Sequence, residues 1–162
     1  MRRWMVTIGV VLALVLVPGS AAQASGGWEP APTEPFDRAA GEICDVPIHA
    51  EPTVDEVVMK TLADGSVIYT GKLVVRVTNR DSGAYTDVDA SGSALVTHAA
   101  DGSMTWYVAG PVLIPFREGA GNRPRGLYRL DGVYRIAYNA TLTYKKLTMV
   151  HGTTEDVCAL ID

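Results

Sequence analysis

The chain is predicted to be all-β, an antiparallel barrel of about seven or eight strands, with a β-sandwich as the alternative. Three observations predict this. Val67, Tyr69, Gly71, Leu73, Val75 and Val77 share one parity while Thr70, Lys72, Arg76 and Thr78 share the other, the period of a half-buried strand. Short turn signals recur, among them Ala63-Asp64-Gly65-Ser66, Asn79 to Gly83 and Asp101-Gly102. No window carries a 3.6-residue apolar stripe.

The chain opens with Met1-Arg2-Arg3, then a largely apolar run from Trp4 to Val17, then Ala22-Gln23-Ala24. A positive start, an apolar stretch and a small-x-small box in that order make a secretory signal peptide over 1–24, cut after Ala24. The run is shorter than the about 20 residues a spanning helix needs, and no later stretch is long enough to span. The protein is therefore expected outside the cell, with no membrane span once the signal is gone. Two of the 14 basic residues and none of the 18 acidic ones precede residue 25, so removing the signal takes the charge from −4 to −6. An exported acidic domain is a poor fit to nucleic acid.

Residues 25–41 hold Pro30, Pro32 and Pro35 among Gly, Ala and acidic residues, without periodicity, and read as a mobile linker. Residues 42–162 read as a single β-rich domain. Strands are expected over 57–61, 67–78, 85–91, 94–99, 104–115, 127–138 and 147–151, an open loop over 116–126, and a short helix within 153–161. Successive strands joined by short turns become antiparallel neighbours. Cys44 and Cys158 are the two cysteines, near the ends of this domain, and an oxidising compartment makes them a disulfide.

Several short features recur together: Cys44, the Asp64-Gly65 turn, Val77-Thr78-Asn79 followed by Ser82-Gly83, Arg125-Gly126-Leu127-Tyr128 leading to Asp131-Gly132-Val133, and Gly152-Thr153-Thr154-Glu155-Asp156-Val157-Cys158. In these the chain resembles an uncharacterised group of exported actinobacterial β-rich proteins. The resemblance implies export and a β-rich fold and carries over no catalytic residue.

No motif specifies a reaction. Asp87-x-Asp89-x-Ser91-Gly92 begins like a calcium loop, but His98 stands where the bidentate carboxylate belongs. His49, His98 and His151 are isolated in sequence, so no metal and no cofactor is called. His151 shares parity with Leu147 and Met149 and is expected to point inward. Ser91, Ser93 and Ser103 lack the elbow that exposes a nucleophile.

Seven of the twelve basic residues of the mature chain fall between 117 and 146. Arg117, Arg123 and Arg125 sit in the open loop, where they suit an anionic cell-envelope polymer. Tyr69, Tyr134, Tyr138, Tyr144, Trp106 and Tyr107 could line a barrel and hold a small apolar ligand. The candidate ligand set is Arg117, Arg123, Arg125, Tyr134, Tyr138 and His151. The function expected is binding without catalysis, of a small apolar ligand or an envelope component. The alternatives are a small secreted enzyme centred on His151 and a structural or interaction module. Protein collected from the medium should begin at Ser25 and gain two hydrogens on reduction, read by intact mass with and without reductant.

Overall fold

The computed structural model describes residues 26–162. The signal peptide expected over 1–24 and its expected cleavage point lie outside the described residues.

Among the described residues twelve strands form, all paired antiparallel, and there is no α-helix. Three pairs of strands are halves of longer ribbons. Strands β3 (Ile48–Asp55) and β4 (Val58–Thr61) follow one another, as do β5 (Val67–Thr70) and β6 (Leu73–Asn79), and β7 (Tyr85–Asp89) and β8 (Ser93–His98). In each, one half joins the larger sheet and the other joins the smaller. The smaller sheet runs β2 (Phe36–Arg38), β3, β6, β7. The larger starts at β1 (Glu29–Pro30) and runs through β4, β5, β8 and β9 (Met104–Ala109) to β11 (Gly126–Tyr138), which also pairs with β10 (Val112–Phe116) and β12 (Lys145–Asp156).

The stretch 67–78, expected as one strand, therefore breaks at Gly71. Its φ is +140°, a region that favours glycine, and a Cβ there would lie 2.3 Å from the Glu56 carbonyl oxygen. The run 104–115 breaks likewise at Gly110-Pro111. Each break coincides with one in its neighbour. The Glu56 N–H donates to Lys72 O at 2.8 Å, Gly92 N–H to Pro111 O at 2.6 Å, and Gly110 N–H to Gly132 O at 2.8 Å. Gly132 lies directly opposite Gly152, with φ of +140° and +139°. A Cβ on Gly132 would stand 2.2 Å from His151 O, and one on Gly152 would stand 2.1 Å from Asp131 O. A single crease thus crosses the ribbons. Strands that bend and change sheet at a corner are how two sheets come to face each other.

Neither sheet closes on itself, so no barrel forms among the described strands. A closed barrel would need the stretch 67–78 to run on and curl, and it is folded sharply at Gly71 instead. The first half of β11, with β10, is buried on both faces. Ile114, Phe116, Tyr128 and Leu130 join a core with Val96, Val108, Tyr134 and Ile136 of the larger sheet. Leu127 joins a second core with Ile48, Val75, Val77 and Val88 of the smaller sheet, and Leu113 packs against it.

The disulfide joins Cys44 and Cys158 with Cα atoms 5.4 Å apart, closing 114 residues of separation. It pins the end of the chain against the smaller sheet, where Val157 and Ile161 are buried and Asn79 Nδ2 donates to Ile161 O at 3.0 Å. The terminal helix is a three-residue 3-10 turn, Cys158–Leu160, and residues 153–156 continue β12, held by β11. Two strands, β1 and β2, form in the stretch read as a linker. There Ala31 N–H donates to Val57 O at 2.9 Å, and Phe36 packs on the core.

Replacing Gly132 or Gly152 by Ala should destabilise the domain by about 2 kcal/mol in urea unfolding. Gly27→Ala, whose Cβ would meet nothing within 4 Å, should leave the midpoint unchanged. Removing both cysteines together should cost about 2–5 kcal/mol.

Candidate functional site

The crease leaves a cleft between the two sheets, with a volume of about 580 Å³. Its walls follow from strand periodicity. Met59 faces Tyr69 across β4 and β5, and Tyr69 faces Ala94 across β5 and β8. These side chains and Trp106 come from the larger sheet, and Phe36, Leu73 and Val75 from the smaller. Its buried lining residues are Ala50, Val75, Ala90 and Ala94, and the three alanines fill little of the space. Pro30, Pro32 and Glu34 supply the remaining wall. That segment is held in place by the Ala31 bond and by Thr33 N–H donating to Asp55 Oδ2 at 2.6 Å.

Glu34 is the one ionisable carboxylate among the lining residues, and none of them is a cation. Burying an apolar group is what this surface can do. Trp106 Nε1 is buried with no hydrogen-bond partner, an unpaired donor in the wall of the cleft. Leaving such a donor unpaired costs about 1–3 kcal/mol.

A second hollow of about 300 Å³ is lined by Arg38, Arg117, Tyr138, Thr143, Tyr144 and Lys145, among others. Burial, then the nearby Arg117 charge, holds the Lys145 ammonium below its usual value. Burial pushes the Tyr138 phenol up to about 12.

The six sequence candidates separate. Arg117 and Tyr138 meet in the second hollow. Arg125 is structural: it donates to Cys44 O at 3.2 Å and pairs with Asp45, bracing the disulfide. Arg123 is half-buried near Tyr128, whose ionisation it favours. Tyr134 is packed in the core, its hydroxyl donating to Gly110 O at 3.2 Å, and burial raises its pKa. His151 faces solvent rather than the interior. Val133 pairs with His151 and Tyr134 with Met149, so Val150 is bulged out of register, and from Val150 to Asp156 the strand is exposed at both parities. Among the described residues the His151 side chain has no hydrogen-bond or ion-pair partner.

His49 lies between Asp37 (3.1 Å) and Glu51 (3.7 Å), apart from the other histidines. Among the described residues no three His, Cys, Asp or Glu side chains gather as a metal-ligand set. Asp87 is engaged by Arg76 through two bonds of 2.8 and 2.9 Å, and Asp89 accepts Ser91 N–H at 3.0 Å. The open loop is tied down, since Asn122 exchanges two hydrogen bonds with the Leu147 backbone at 2.7 and 2.8 Å. Of the other aromatics, Tyr69 and Trp106 line the cleft, and Tyr107 is half exposed on the outer face of the larger sheet beside Leu95 and Val133. Sequence reasoning missed Phe36, Met59 and Leu73 as cleft residues and Arg38 as a hollow residue. The signal was the proline-rich segment before Cys44, which was read as a linker.

The Tyr138 shift sets a pH dependence. Its folded value exceeds its unfolded value of about 10, so its contribution to stability is intact below pH 10 and is lost as pH rises towards about 12. Unfolding measured from pH 9 upward should show a decline that is shallower in Tyr138→Phe. No model of a known protein family, no curated protein and no solved structure matches this chain.

Proposed function

We propose that the protein is an exported, non-catalytic binding protein that holds a small apolar ligand between two sheets packed in sandwich fashion. The observation that carries this is the cleft of about 580 Å³ walled by Phe36, Met59, Tyr69, Leu73 and Trp106. Its size is that of a small-molecule site, and such sites are mostly apolar with a few placed polar groups. Thr33, Glu34 and Tyr69 supply polar groups among its lining residues. The disulfide and the hydrogen-bonded crease hold the walls in place without a ligand, which limits the ordering cost of binding. The expected signal peptide would place this activity outside the cell, in keeping with the exported actinobacterial group that the chain resembles.

Nile red added to the exported domain should give saturable, blue-shifted emission at one dye per chain. Leu73→Trp should fill the cleft and weaken binding at least about tenfold while the far-ultraviolet circular dichroism is kept. No saturable signal from the unaltered protein would overturn the proposal.

A further inference from the structure

We propose that the natural ligand is an anionic amphiphile, its apolar chain in the cleft and its carboxylate or phosphate head in the hollow formed by Arg38, Arg117 and Lys145. This rests on the cleft reading and adds the class of ligand.

Three cations from separate parts of the chain converge on the hollow: Arg38 on β2, Arg117 just after β10, and Lys145 at the start of β12. Among the described residues one of the three has an acidic partner, at the edge of ion-pair distance. Arg117 reaches Glu42 only at 3.9 Å. Arg38 donates to the Asp37 backbone carbonyl, and its Nε is buried with no partner. Lys145 has no carboxylate partner and rests over the Phe116 and Tyr138 rings at 4.9 and 5.7 Å. Three cations gathered around one hollow suit an anion that supplies charge-assisted hydrogen bonds. A head group there would also relieve the desolvated Lys145 ammonium.

The hollow and the cleft lie along the same strands. On β2, Phe36 lines the cleft and Arg38 the hollow, two residues on and so on the same face. On β10, Leu113 and Pro115 repeat the relation. The Arg38 guanidinium stands 4.8 Å from the Phe36 ring centre, and the Trp106 ring of the cleft is 5.9 Å from the Tyr138 ring of the hollow. Two strand residues span about 7 Å, a few bonds of an alkyl chain. One molecule can therefore present a head to the cations and a tail to the apolar walls.

Titration calorimetry of the exported domain with decanoate, decyl phosphate and decanol tests this. Decanoate, decyl phosphate or both should bind at least about tenfold tighter than decanol. In Arg117→Gln/Lys145→Gln that gap should close while decanol binds as before, which also shows that the variant is folded. If only one anion shows the gap, the head group is identified and the proposal stands. Equal binding of decanol and both anions to the unaltered protein would overturn the anionic head and leave the apolar cleft intact. A gap that survives in the double variant would overturn the assignment to these cations. If none of the three binds, the cleft reading falls, and this one with it.

Discussion

Backbones that approach more closely than any side chain permits govern this fold. At Gly132 and Gly152 two strands meet with carbonyl oxygens inside the space a Cβ would occupy, and at Gly71 the Glu56 carbonyl does the same. These contacts lie along one crease, and hydrogen bonds run across it from Glu56 to Lys72 and from Gly110 to Gly132. Strands that would otherwise continue straight are turned into two sheets. The exclusion of side chains is thus a global constraint imposed by local sterics.

The crease has two consequences for what the protein can do. It folds the first half of β11 into the middle, where Leu127 serves one core and Tyr128 and Leu130 serve the other. It also brings the sheets together where small side chains meet, at Ala50, Ala90 and Ala94, so the cores leave a cleft between them. The disulfide at Cys44 fixes the end of the chain on the smaller sheet, and Arg125 ties the loop before β11 to the same point. The walls of the cleft are therefore braced from positions distant in sequence. Charge is segregated as well. The cleft walls carry no cation, while three cations meet in the adjoining hollow.

Much of the strand pattern was legible in the sequence. Alternation marked β5 and β6, Gly92 marked the break between β7 and β8, and the distant cysteines marked the disulfide. That the sheets stay open rather than closing into a barrel was not legible, because alternation reports which face is buried and says nothing about whether a strand bends. Gly71 keeps the parity of its neighbours, so the pattern runs through it unbroken while the chain changes sheet. His151 was misplaced for a related reason. The bulge at Val150 shifts the register, and beyond it β12 is exposed at every position, so parity there no longer reports burial. The candidate site was only partly legible. Arg117 and Tyr138 were found through charge clustering and aromatic content, but the cleft depends on Pro30 to Phe36, a segment without periodicity whose place is set by backbone bonds to Val57 and an Asp55 carboxylate.

The most direct measurement is native mass spectrometry of the protein purified from its own culture medium without organic solvent. If the crease builds a working ligand site, the spectrum should show the disulfide-closed chain carrying a bound amphiphile that extraction with organic solvent removes. A spectrum of the bare, folded polypeptide, unchanged by extraction and by incubation with medium lipids, would contradict it.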